Sequence, residues 1–222
     1  MAEAVPQPPA EAARKVEEAA FLHECALNAA WVGARLAIGA MTFLFGAFVF
    51  AYFYLRSLNS HGMWYPASFT GPRQWSGALV MAFAVASALL QTLVLQRLKA
   101  GHKAVWMAGA AGALVLGLAA VGVQLWQLMK EPFWPASSGF ASVFTGATPV
   151  LVLFMFCMMV WLEMLIVTAR QIPAVSFIEQ PPTYDAVFAV QRFQARLSAF
   201  TLVWNFIALL ALLYWILFYL VR

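Results

Sequence analysis

Charged side chains are scarce in this sequence of 222 residues. Only 10% of the residues are Asp, Glu, Lys or Arg, whereas 64% are hydrophobic and the mean hydropathy is +0.81. Soluble domains average about 25% charged and about 45–50% apolar residues. A shortage of charge on this scale argues against a water-facing globular surface, and it indicates an integral membrane protein.

Cysteine and histidine are also sparse. The two cysteines, Cys25 and Cys157, lie in different segments without a Cys-x-x-Cys partner, so neither a disulfide framework nor a zinc site is expected. The three histidines, His23, His61 and His102, all fall outside the apolar runs. A haem or copper centre buried in a membrane needs nitrogen ligands at membrane depth. We therefore expect no metal, no cofactor and no catalytic centre on this chain.

Five apolar runs are long enough to cross a bilayer, whose hydrocarbon core of about 30 Å takes about 20 helical residues. These runs are Leu36–Leu55, Gly77–Leu95, Ala104–Met129, Ala147–Val167 and Leu197–Val221. The pattern predicts an all-α integral membrane protein in which residues 31–222 form a bundle of five transmembrane helices.

Residues 1–30 are predicted to be a cytoplasmic tail that carries an N-terminal amphipathic helix. Residues 10–27, AEAARKVEEAAFLHECAL, are rich in helix formers and carry an apolar stripe. The stripe consists of Val16, Ala19, Ala20, Leu22 and Ala26. No basic segment followed by an apolar stretch precedes it, so a cleavable signal peptide is not expected.

Basic residues are distributed unevenly between the two ends of the predicted bundle. The end with the N-terminus has Arg14, Lys15, Arg35, Arg97, Lys99, Lys103, Arg170, Arg192 and Arg196, and the other end has Arg56, Arg73, Lys130 and Arg222. Because cytoplasmic loops are enriched in Lys and Arg, this predicts a cytoplasmic N-terminus and an external C-terminus. The net charge of +4 is thus explained by topology, and nucleic-acid binding is not expected.

Four polar side chains within the runs are candidate sites: Glu163, Gln124, Gln127 and Asn205. Glu163 is the only carboxylate within a run, and an intramembrane ionisable residue is a functional hypothesis by default. A boundary carboxylate, a contact with another subunit and a protonatable group all remain open for it. Gln124 and Gln127 share a helix face at i, i+3, and these amides and Asn205 are expected to hydrogen-bond between helices.

Glycine is concentrated in the third run. Gly109, Gly112, Gly117 and Gly122 lie among alanines in the sequence AGAAGALVLGLAAVGV. Small side chains let helix backbones approach closely inside a membrane. The run is therefore predicted to pack tightly against its neighbours.

Four stretches resemble subunit III of haem-copper terminal oxidases, in the short form with five helices. They are FLFGAFVFAYFYLR at 43–56, Gln124 with Glu131-Pro132-Phe133, SSGFASVFTGAT at 137–148, and VWNFIALLALLYWILFYLV at 203–221. Their order, the five runs and the predicted orientation are similar to that family.

The chain departs from the family at positions that are usually polar. Met41 stands where the family often has a glutamate, and Leu151 and Phe154 stand where it usually has histidines. In the last run Asn205 replaces the usual histidine, and Ala208 stands at the following Asp position. The resemblance is thus to a divergent member, or to one that serves a related complex.

The resemblance implies a non-catalytic accessory subunit of a proton-translocating oxidase that reduces oxygen to water in aerobic respiration. Such a subunit packs on the haem-bearing subunit I beside other oxidase subunits, holds membrane lipids, and supports stability and proton uptake. The haem and copper would belong to the partners, and the expected location is the bacterial plasma membrane. The alternatives are an accessory subunit of a nitric oxide reductase and an independent small transporter; nearly apolar runs without broken helices argue against the transporter.

Overall fold

The computed structural model describes residues 10–59, 62–66, 69–178 and 183–221, and all regular secondary structure in these ranges is helical. The helices are α1 (Ala10–Ser57), α2 (Gln74–Lys99), α3 (Lys103–Lys130), α4 (Gly139–Gln171) and α5 (Tyr184–Trp215), and a π-helical turn, Ile216–Leu220, continues α5. Five helices are long and apolar enough to cross a membrane. Each predicted run lies in a different one of them, and the last run extends through the π-helical turn.

The N-terminal helix differs from the prediction. α1 continues without a break for 48 residues, about 72 Å, so residues 10–27 are not a separate helix. The reason is local, because NAAWVGAR at 28–35 contains no proline to stop the helix. Phe21 and Leu22, both 65% exposed, lie on the part of α1 that extends towards the N-terminus.

The helices alternate in direction. The α2–α3 and α4–α5 connections lie at one end of the bundle, which we call the Lys99 end. The α1–α2 and α3–α4 connections and the end of α5 lie at the other, the Arg56 end. α2 packs on α3 and α5, while α4 contacts α1, α3 and α5. Near the Lys99 end, His23 of α1 hydrogen-bonds the Tyr184 hydroxyl at 2.7 Å and stacks on Phe188 with ring centroids 4.2 Å apart.

Two helix ends follow directly from the sequence. Glu131 adopts an extended backbone after α3, as expected for a residue that precedes a proline, here Pro132. Ser138 caps α4, because its hydroxyl accepts a hydrogen bond from the Ala141 N–H at 3.0 Å. The segment between α3 and α4 therefore turns back towards the bundle.

Glycine permits close packing at most of the predicted positions. A Cβ atom at Gly109 would overlap the side chain of Val94, and one at Gly117 would overlap Met159. At Gly112 it would lie 3.3 Å from Leu90 Cδ2. Gly122 differs, because nothing described lies within 4 Å of the place where its Cβ would be. The prediction of tight packing is thus confirmed at three glycines and wrong at the fourth.

A buried hydrogen-bonded chain links three helices in the middle of the bundle. The indole Nε1–H of Trp204 in α5 donates to Ser87 Oγ in α2 at 3.1 Å. The Ser87 hydroxyl in turn donates to the Ala113 carbonyl of α3 at 2.6 Å. Trp204 and Ser87 are both fully buried. These two hydrogen bonds fix the positions of α2, α3 and α5 relative to one another along the bundle axis.

Two side chains of α1 donate hydrogen bonds to carbonyl groups at the end of the last helix. Tyr52 Oη donates to the Leu217 carbonyl at 2.9 Å, and Arg56 donates to the Val221 carbonyl. Such terminal carbonyls have no partner within their own helix, and a cation is favourable there. The three residues after Ala51 are all aromatic. Phe53 and Tyr54 are each 51% exposed, but Tyr52 is fully buried because it makes this contact.

Candidate functional site

An aromatic cluster occupies the Arg56 end. Phe144 lies 5.2 Å from Phe218 and 5.6 Å from Phe133, measured between ring centroids. Phe140 lies 5.9 Å from Phe218, and so does Tyr52. Most of these contacts are edge-to-face, the geometry that aromatic quadrupoles favour. Rings from α1, α4, α5 and the α3–α4 connection thus form one packed unit, which we call the aromatic cluster.

A polar network adjoins the aromatic cluster on α3. Gln127 is 2% exposed, and its Nε2 donates to Tyr219 Oη at 2.6 Å and to Glu131 Oε1 at 2.9 Å. Gln124 Nε2 donates to Gln127 Oε1 at 3.3 Å. The i, i+3 spacing places Gln124 and Gln127 on one face of α3, and Glu131 follows directly after the end of this helix. This face is therefore joined to the end of α5, and Gln127 does form an interhelix hydrogen bond.

Glu131 is the ionisable member of this network. Burial raises the pKa of its carboxyl group above the usual value for glutamate, while the hydrogen bond from Gln127 and the charge of Arg73 act in the opposite direction. The Arg73 guanidinium itself lies 5.8 Å from the centre of a Trp126 ring. Glu131 therefore retains a proton to a higher pH than an exposed glutamate.

A small cavity of about 20 Å³ lies beside the network. Its polar lining includes Gln124, Thr148, Tyr214 and Tyr219, and apolar side chains of α2, α4 and α5 complete it. The volume and the polar groups match the requirements of about one water molecule. The site is thus too small for an organic substrate.

The remaining two candidates lie elsewhere. Asn205 of α5 exchanges hydrogen bonds with Thr92 of α2 at 3.1 and 3.2 Å, beside an exposed apolar groove of about 320 Å³. Glu163 lies 24 residues into α4, about 36 Å from the start of this helix, and its side chain is exposed. Of the four candidates, the structure brings together only Gln124 and Gln127.

A larger groove of about 510 Å³ opens at the Lys99 end between α1, α4 and α5. Arg192 and Arg196 lie on one wall, Trp161 and Leu165 on another, and alanines of α1 on the third. Guanidinium groups bind phosphate with two parallel hydrogen bonds, and an apolar wall suits an acyl chain. This groove was not predicted from the sequence, although the i, i+4 spacing of Arg192 and Arg196 before the last run places both on one helix face.

The burial of Gln91 was not predicted from the sequence either. This α2 side chain is fully buried, and neither its amide nitrogen nor its oxygen hydrogen-bonds any described residue. Three of the positions where the resemblance implies polar groups are apolar and buried in the core, namely Met41, Leu151 and Ala208. Gln91 is thus a polar core position that the family pattern did not indicate.

Gln91→Leu is expected to raise the free energy of unfolding by about 1 kcal/mol, because it removes an unpaired buried amide. Gln127→Leu is the matched control, and it should lower stability by about 1–3 kcal/mol because Tyr219 and Glu131 lose their partner. SDS titration of the protein in detergent micelles, followed by circular dichroism, measures both. Equal losses in the two variants would show that Gln91 has a polar partner.

These clusters consist of amides, hydroxyls, arginines and one carboxyl group, and no group of three or more His, Cys, Asp or Glu residues that could hold a metal ion is found in the described part of the chain. No protein-family model matches the chain, and no curated protein matches it.

Proposed function

We propose that this chain is a membrane-spanning, non-catalytic accessory subunit III of a proton-translocating haem-copper terminal oxidase. It packs on the haem-bearing subunit I, supports the stability and proton uptake of that subunit, and leaves haem and copper to its partners. The N-terminus is cytoplasmic and the C-terminus external in a bacterial plasma membrane, as the distribution of Lys and Arg favours.

The aromatic cluster is the observation that carries this proposal. The first and last stretches lie far in the sequence from the two neighbouring middle ones, yet each of the four contributes a ring to the cluster: Tyr52, Phe133, Phe140 with Phe144, and Phe218. Four coincidental matches would have no reason to pack together. Their contact supports reading them as parts of one structural pattern.

The use of polar groups also supports a structural role. Gln127 and Asn205 bond between helices, and Trp204 bonds to Ser87, so these groups hold the bundle together. Glu163 lies on the outside of the bundle rather than along a path through it, which argues against the transporter alternative. Met41 and Leu151 are buried and have no ionisable side-chain group, so we do not assign a proton path to those positions.

Membrane lipids are further partners in this proposal. The groove with Arg192 and Arg196 lies at the end that the orientation places in the cytoplasmic leaflet, where anionic headgroups are abundant. A headgroup phosphate would lie against the guanidinium groups and an acyl chain along Trp161 and Leu165. Bound lipid would then fill a gap between α1 and the rest of the bundle.

Purification in mild detergent through a tag on this chain tests the function. We expect haem-bearing partners to co-purify, with a-type absorption bands for an oxidase that reduces oxygen. Bands of b-type haem alone, with a reductase subunit identified by mass spectrometry, would replace the oxidase by the nitric oxide reductase alternative. A colourless preparation that contains one polypeptide would overturn the proposal.

A further inference from the structure

One face of α4 is covered by no other part of the described chain. A row of its exposed residues recurs at spacings of three and four, with the exposed Cys157 and Met164 beside it; the row consists of Leu153, Phe156, Val160, Glu163, Val167 and Arg170. We call this row the outward seam. The opposite face of α4, with Met155, Met159 and Leu162, is buried in the bundle. Spacings that alternate between three and four are typical of a helix that packs against another at about 20° in a left-handed coil.

Glu163 makes the outward seam unusual. It lies eight residues, about 12 Å, before the end of α4 and within an apolar run, so its carboxyl group lies at membrane depth in the proposed function. Charged groups at that depth almost always face a bundle interior or pair with another group. Within the described ranges no residue forms an ion pair or a hydrogen bond with Glu163.

The nearest arginines do not neutralise it. Arg170 lies on the same seam but two helical turns away, about 10.5 Å along the axis. Arg192 and Arg196 line the groove that α4 meets with Trp161, Leu165 and Thr168. Among the residues that the structure describes, no lysine or arginine forms an ion pair with this carboxyl group.

We propose that the outward seam is an interface for a transmembrane helix of a different subunit, which presents a lysine or arginine to Glu163. A second copy of this chain does not fit. Two seams packed about a two-fold axis along the membrane normal would bring Glu163 against Glu163 and Arg170 against Arg170, and like charges repel. A basic side chain on a foreign helix both neutralises the carboxylate and fixes the register of the seam.

The inference rests on the part of the proposed function that makes this chain a membrane subunit, and not on haem in the partner. Glu163→Gln should lower recovery of the partner in mild-detergent purification by at least about tenfold, and Glu163→Lys should abolish it, because a buried charge is left unpaired. Glu24→Gln and Glu24→Lys are the matched controls, since Glu24 is an exposed carboxylate of α1 outside the apolar runs. These controls should retain the partner.

A photo-reactive residue at Val160 identifies the occupant, and one at Leu209, which is 59% exposed on α5, serves as its control. Val160 should crosslink one protein whose facing helix has a lysine or arginine, and Leu209 should not. Exchange of that partner residue for glutamate should restore recovery with Glu163→Lys. The SDS unfolding midpoint of the isolated chain should not change in Glu163→Gln.

Three results would overturn the inference: full recovery of partners with both Glu163 variants, crosslinks from Val160 to lipid only, or crosslinks to a second copy of this chain. Failure of the proposed function looks different. In that case the preparation lacks haem, while the Glu163-dependent crosslink to a basic helix persists.

Discussion

Replacement of Trp204 by alanine is expected to lower the free energy of unfolding by about 3–5 kcal/mol. The indole is fully buried where α2, α3 and α5 meet, and its loss leaves a cavity that the surrounding helices cannot close. The hydrogen bond from Nε1 to Ser87 Oγ is lost as well. Inside a membrane, lipid chains contact apolar surface about as favourably as neighbouring helices do. The effect therefore comes mainly from lost packing rather than from transfer of apolar surface to water. SDS titration in micelles, followed by circular dichroism, measures the change.

Two variants make this result specific. Trp204→Phe keeps most of the volume and loses the hydrogen bond, so it should cost about 1 kcal/mol. Trp134→Ala removes an indole that is 81% exposed, and it should change stability by less than about 0.5 kcal/mol. Similar losses in Trp204→Ala and Trp134→Ala would refute the central position of Trp204.

Gly77→Ala should be the second strongly destabilising change, with a loss of about 1–3 kcal/mol. A Cβ atom at residue 77 would overlap the ring of Tyr219. That ring cannot move away freely, because its hydroxyl is held by Gln127 at 2.6 Å. The same substitution would also disturb the small cavity that both residues line.

Gly122→Ala provides a control of opposite sign. Nothing described lies within 4 Å of a Cβ at this helical position, so alanine should add up to about 1 kcal/mol through its better helix propensity. The comparison uses the same chemical change in the same micelles and the same SDS titration. A stabilising Gly77→Ala would contradict the described contact between α2 and the end of α5.

The number and approximate bounds of the apolar helices could be predicted from the sequence, because bilayer thickness sets a length that few other structures need. The continuity of α1 could not, since amphipathic and apolar segments follow each other with no stop between them. Nor could the sequence predict that the Glu163 side chain points outward from the bundle. The run around it is apolar on every side, so its periodicity does not distinguish the buried face from the outward seam.

The polar network was only partly predictable. The i, i+3 spacing of Gln124 and Gln127 showed that they share a face, but their partner Tyr219 lies 92 residues beyond Gln127. Gln91 carried no motif, and its burial follows only from how α2 packs on α3 and α5. Tertiary packing, rather than local pattern, decided these contacts.

The unbroken α1 gives the molecule a mechanical property. Residues 10–35 of α1 precede the predicted run Leu36–Leu55 and form a helical strut about 39 Å long. His23 braces this strut against the start of α5 through Tyr184 and Phe188. A lateral force on α1 near residue 14 would therefore be transmitted to α5 through the contacts of His23 with Tyr184 and Phe188. In the proposed orientation, this strut would extend into the cytoplasm.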